Sequence, residues 1–240
     1  MSVGDVIGQA WRLYKAHFKH LVSIAFIMYT LIAVLTLVLI LLLGNLGGVA
    51  AVFVAVAAVF WLQGALVIAV DDIRDGRADL TIRQTLEGVR RRINTLSLLG
   101  FFVLLMFIIA AILIIVGFYL FVIPGLALIF VFFYFLVRWI LAVPVIMLEE
   151  RGVFGALDRS GTLVGGHAWQ VFGVVLLTLL ILIGVGIAID VVLSPLPNSV
   201  QGLVAQLVSS TLTAPFAALA WTLMYYELRD APEPVVAAAA

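Results

Sequence analysis

Six long apolar runs dominate the chain, at 21–43, 49–70, 95–117, 125–148, 169–189 and 201–226, and the polar residues gather between them. Each run is close to the ~20 residues that a helix needs to cross a bilayer. The strands of a closed β-barrel, the other fold that spans lipid, alternate apolar and polar residues over about ten positions. No segment here alternates in that way. The pattern predicts an all-α membrane protein with six transmembrane helices.

The segments between the runs carry a different period. Val3, Ile7, Ala10, Trp11, Tyr14, Phe18 and Leu21 step by three or four residues, with Asp5, Gln9, Arg12, Lys15 and Lys19 on other faces. That spacing predicts an amphipathic helix suited to the headgroup region. A second follows Asp79, with Thr81 and Gln84 in capping-box spacing and a stripe of Ile82, Leu86, Val89 and Ile93. A third and weaker one carries Phe154, Leu157, Gly161 and Val164. Each leads into two apolar runs, so the chain reads as three hairpins of transmembrane helices, each preceded by a cytoplasmic interfacial helix. The units cover about 3–72, 80–150 and 153–230 within a single membrane domain over 1–230. A threefold internal repeat would explain this; so would any even-spanning protein with amphipathic cytoplasmic loops. Residues 231–240 read as a disordered tail.

Composition agrees: apolar residues make up 65% and charged residues 11%, and the mean hydropathy is +1.30. The first run is too long for a signal peptide and lacks a small-x-small cleavage site, so it reads as a retained helix. There is no cysteine to form a disulfide or thiolate site, and 13 basic residues balance 13 acidic ones, leaving no net charge to attract nucleic acid. All 13 basic residues except Arg138 fall in segments on one side of a six-span topology. The positive-inside rule then sets both termini in the cytoplasm of a cell whose inner membrane holds the protein. Trp11, Arg12, Lys15, Lys19, Arg90, Arg91 and Arg92 are the expected membrane-surface residues, facing anionic lipid.

Arg138 stands 10 residues before Leu148, about 15 Å at 1.5 Å per residue, which suggests a position near mid-bilayer. An arginine there costs roughly 2.5–3.5 kcal/mol on insertion scales and calls for a partner. No carboxylate lies in any apolar run, so the candidates are neutral: Gln63, Thr213, Ser209, Ser210 and carbonyls freed near Pro144, which cannot donate to Ile140. Three roles stay open: a structural arginine, an anionic-ligand site with Gln63 and Thr213, or a contact with a partner protein. Pro124 and Gly125 are expected to open the fourth spanning helix, and Trp139 and Pro144 to shape it.

Other chemistry is thin. Asp71, Asp72 and Asp75 form a DDxxD cluster of the kind that holds Mg²⁺ against a diphosphate in membrane transferases, but no second acidic cluster faces them and Arg74 and Arg77 interleave. His17, His20 and His167 lack the carboxylates of a metal site. No catalytic residue, metal or cofactor is expected.

Ile123-Pro124-Gly125, Arg138-Trp139, Ala142-Val143-Pro144, Glu149, Ala156-Leu157-Asp158-Arg159-Ser160 and Leu163-Val164, with the opening Gly4–Lys19, carry a resemblance. They resemble the membrane domain of glycerophosphoryl diester phosphodiesterase and related six-span bacterial and archaeal membrane families. Gly161 stands where that family has a Trp, and Gly165-Gly166 where it has a basic residue. The resemblance implies a membrane module and not the hydrolase. The expected function is a non-enzymatic module that organises or assists a partner protein or a lipid process at the cytoplasmic leaflet. A transporter or lipid-handling protein with an anion site around Arg138 is the alternative.

Overall fold

The computed structural model describes residues 2–74, 80–120 and 122–231. Among them there are helices and no strands: α1 (Val3–Ala16), α2 (Phe18–Arg74), α3 (Ile82–Arg90), α4 (Ile93–Leu120), α5 (Val122–Trp139), α6 (Ala142–Leu148), α7 (Val153–Val164), α8 (Ala168–Leu193) and α9 (Asn198–Arg229). Helices follow from the apolar composition, because a chain in lipid must satisfy its own backbone groups. Five helical stretches are long and apolar enough to cross a membrane. This is a multi-pass membrane protein.

The first of the five is α2, with 57 residues. Straight, it would measure about 86 Å, far beyond the ~30 Å hydrocarbon core. It is broken at Gly44, whose φ of 56° and ψ of −128° suit only a residue without a Cβ. A Cβ on Gly47 would fall on the Leu39 carbonyl, so the backbone comes back on itself across the break. The helix therefore divides at that glycine into two limbs, 18–43 and 45–74.

The 45–74 limb packs along α4. Trp61 Nε1 donates to Ser97 Oγ at 2.8 Å, Phe53 meets Phe101 at 5.8 Å between rings, and Phe60 fills the space left by Gly100. Between α4 and α5, Phe107 and Phe132 lie edge to face at 4.9 Å, and a Cβ on Gly125 would meet the Phe118 ring at 2.6 Å. Pro124 lies in the first turn of α5, two residues after Val122. The 211–228 part of α9 runs through the core, with Leu219, Leu223, Met224 and Tyr225 fully enclosed.

Two expectations shift. The α1 stripe does not lie free for lipid: Val6, Ala10 and Tyr14 are buried. Tyr14 Oη donates to the Leu212 carbonyl at 2.9 Å, next to the turn of α9 that Pro215 loosens. In α7 the inward face is Val153, Ala156, Leu157, Ser160, Gly161 and Val164. Of the expected apolar stripe, Leu157, Gly161 and Val164 turn inward against the bundle, while Phe154 stays exposed and meets Phe102 edge to face at 5.9 Å. The capping box at α3 forms as read, with Gln84 N donating to Thr81 Oγ1 at 3.3 Å and Thr81 N to Gln84 Oε1 at 2.8 Å.

Candidate functional site at the α5–α6 break

The fourth apolar run, expected as one helix over 125–148, divides. Pro144 has no N–H for the Ile140 carbonyl, and the helix gives way at that point. α5 ends at Trp139, Leu141 takes φ −90° and ψ 3°, and α6 starts at Ala142. A buried break needs partners for the backbone groups it frees. Ser160 of α7 supplies them: its Oγ donates to the Arg138 carbonyl at 2.7 Å and accepts from Leu141 N at 3.3 Å. Ser160 is 0% exposed.

The Arg138 side chain turns back along α5, as side chains on a helix do. Its Nη1 donates to Tyr134 Oη, one turn earlier, at 3.0 Å. The guanidinium lies on the backbone of α7, where a Cβ on Gly161 would come within 2.6 Å of Nε and 3.0 Å of Cζ. The bare Cα of Gly161 makes that seat. Among the described residues no carboxylate comes within ion-pair distance of Arg138. Next to it, Trp139 packs edge to face on Phe102 at 5.8 Å and lies tilted on Phe135 at 4.9 Å.

The turn from α6 to α7 is pinned by charge. Glu149, 16% exposed, accepts from Arg151 Nε at 2.9 Å and Arg159 Nε at 3.2 Å. It also accepts from Tyr225 Oη at 3.1 Å. Glu150 adopts φ 56°, a left-handed backbone, and its carboxylate meets Arg92 Nη2 at 2.7 Å.

The residues proposed together from the sequence have separate surroundings. Gln63 lines a cavity between α2, α4 and α5 whose walls include neither Arg138 nor Thr213. Thr213 Oγ1 donates to the Ser209 carbonyl of its own helix at 2.7 Å. Of the acidic cluster, Asp71 accepts from Tyr226 Oη and Asp72 Oδ2 from Leu80 N at 3.0 Å; Asp75 lies outside the described residues. Arg74 stacks over the Tyr226 ring at 3.7 Å. These groups close off one end of the helix bundle.

The same end carries the surface residues. Gln9 of α1 shares a pocket with Arg74, Tyr226 and Asp230, and Gly88 of α3 rests on Ile68. Trp11 is 48% exposed, with the Lys15 ammonium 5.6 Å from its ring. Arg12, Lys15, Lys19, Arg90 and Arg91 are exposed and make no ion pair among the described residues, whereas Arg92 is held by Glu150.

Comparison with known families bears on this construction. Residues 114–226 match the family model for the membrane domain of glycerophosphoryl diester phosphodiesterase. The resemblance is to the membrane domain and not to the catalytic one. The matched stretch holds the α5–α6 break, Arg138, Glu149, Ser160 and Tyr225, so the clamp just described lies inside the region of likeness. No curated protein and no solved structure matches the chain.

Sequence reasoning did not single out Tyr134, Ser160 or Tyr225 as working residues. Tyr134 was within reach, because it stands four residues before Arg138 and such pairs face each other on a helix. Tyr225 was not, since 76 residues separate it from Glu149.

Proposed function

We propose that the chain is a six-span, non-enzymatic membrane module that gathers anionic lipid at the cytoplasmic leaflet and thereby organises a partner protein or a lipid process there. The two limbs of α2 count as two spans, giving three hairpins with both termini on the cytoplasmic side of the inner membrane. α1, α3 and α7 each precede one hairpin, which keeps a threefold repeat in the proposal. The observation that carries the function is the rim of Arg12, Lys15, Lys19, Arg90 and Arg91, which make no ion pair among the described residues, around the end where α1 and α3 pack. Cations held near an anionic surface are worth about 1 kcal/mol each.

The test compares wild type with an Arg90→Gln/Arg91→Gln variant in nanodiscs of mixed phosphatidylglycerol and phosphatidylcholine. Arg92 is left intact because it holds Glu150. Native mass spectrometry should show bound phosphatidylglycerol falling roughly tenfold or more, as two lost charges at about 1 kcal/mol each require. Equal retention would remove the rim from the mechanism.

A second reading rests on the absence of a carboxylate beside Arg138 among the described residues. In it the guanidinium receives the phosphate of a single anionic lipid, with Tyr134 beside it. Arg138→Leu would then lose one tightly held phosphatidylglycerol while Arg138→Lys keeps it in part. Identical spectra for all three forms would leave the arginine a purely structural role.

A further inference from the structure

A cavity of about 460 Å³ lies between the 45–74 limb of α2, α4, α5 and α6, within the range of small-ligand sites. It is lined by Phe60, Ala110, Leu113, Trp139 and Trp221, and among the described residues no charged side chain reaches it. Its outer wall includes Ile109, Leu113, Val131 and Phe135, all exposed on helices whose surroundings are hydrocarbon. The way in is therefore from the lipid phase. One group is out of keeping with the walls. Gln63 presents a carboxamide that finds no hydrogen-bond partner among the described residues.

The cavity also has a direction. Gly64, next to Gln63, faces Leu96 at the start of α4, while Leu113 and Ile114 close the far end. From Leu99 to Ile114 the walls follow α4 for about 22 Å at 1.5 Å per residue. Chains of one leaflet fill only about half of a ~30 Å core, so a full acyl chain fits along that length. A partner helix, about 10–12 Å across, does not fit in the same volume. The polar group stands at the end nearest Arg74, Arg90 and Arg91, where an inner-leaflet lipid would carry its head.

We infer that this cavity binds one hydrocarbon chain of an uncharged lipid, with the lipid's hydroxyl or ester carbonyl on the carboxamide of Gln63. A carboxamide both donates and accepts, which suits a hydroxyl or an ester, and the lack of any cation in the walls disfavours a phosphate. This site is separate from the basic rim and from Arg138.

The probe is dioleoylglycerol, added as a minor component to phosphatidylcholine nanodiscs holding the full chain, with bound lipid read by native mass spectrometry. Wild type should retain one dioleoylglycerol well above its bulk share. Gln63→Leu, of similar volume, should weaken retention about tenfold, the loss of roughly one buried hydrogen bond. Ala110→Phe should abolish it by filling the cavity. If Ala110→Phe does not fold, dioleoylglycerol brominated on its acyl chain replaces it: quenching of tryptophan fluorescence in wild type should fall in Trp139→Phe. Retention no higher than the bulk share would overturn the inference. So would retention unchanged in Gln63→Leu, occupancy by phosphatidylglycerol in its place, or quenching that Trp139→Phe leaves intact.

Discussion

Ser160→Ala is the sharpest test of the α5–α6 break. The substitution removes one hydroxyl and leaves the Arg138 carbonyl and the Leu141 N–H without the partners they have at 2.7 Å and 3.3 Å. Ser160 and Leu141 are fully enclosed, so water is not readily at hand to replace them. An unsatisfied buried group costs about 1–3 kcal/mol. The 3.3 Å bond is long and contributes toward the low end, so the pair together should cost about 2–3 kcal/mol. For a chain of this size that corresponds to roughly 5–10 °C in apparent Tm. Thermal unfolding in one detergent at one scan rate, followed by tryptophan fluorescence, gives the comparison. Thr162→Ala is the control: the same helix, an exposed position, and a hydroxyl bonded only to Asp158 O of its own helix. It should move the midpoint by about 1 °C or less. Pro144→Ala adds a second check, because restoring an N–H toward Ile140 lets the helix run on and reduces the need for Ser160. The two substitutions should then be non-additive, with Ser160→Ala costing less in the Pro144→Ala background. A Ser160→Ala midpoint equal to that of wild type, or strict additivity, would refute the account of the break.

Two other outcomes follow from the geometry. Gly47→Ala should lose most folded protein, because its Cβ would strike the Leu39 backbone, whereas Gly48→Ala, with open space around it, should express as wild type; fluorescence-detected size exclusion separates the two. Tyr14 gives a pH dependence, since burial raises its phenol from 10.0 to about 12. The unfolded chain releases that proton at lower pH than the folded one, so the contribution of Tyr14 is complete below pH 10.0 and is lost as pH rises toward about 12. Tyr14→Phe should therefore be less stable at neutral pH, through the lost bond to Leu212, and should show a shallower fall in alkaline unfolding; an identical slope would remove Tyr14 as its source.

Length and hydropathy made the spanning helices legible, and local chemistry did the same for the Gly44 turn and the Thr81 capping box. These features depend on residues within a few positions of one another. The faces of α1 and α7 were less legible, because an apolar stripe has the same period whether lipid or protein covers it. α1 packs on α8 and α9, with Val3 beside Gly173 and Tyr14 bonded to Leu212, and only the assembled bundle decides that. The clamp on Glu149 was illegible for a related reason: Arg151 and Arg159 are near in sequence, but Tyr225 arrives from α9. Pro144 did mark the weak point in the fourth run. Nothing local indicated that the freed backbone would be served by Ser160, which is 22 residues from Arg138.

The arginine in the apolar run then separates into two problems with different solutions. Its backbone carbonyl is freed by the break and taken by Ser160, which would serve any residue at that position. Its side chain has one neutral partner in Tyr134 and a seat on the bare backbone at Gly161, with no countercharge among the described residues. A guanidinium has five N–H donors, and one hydroxyl leaves most of its capacity unused. If the arginine served only to hold the break, leucine would do as well, because Ser160 bonds to the main chain. Arg138→Leu should accordingly fold with little change in apparent Tm while Ser160→Ala does not. A large loss of stability in Arg138→Leu, equal to that of Ser160→Ala, would mean instead that the guanidinium and the hydroxyl act as one structural unit.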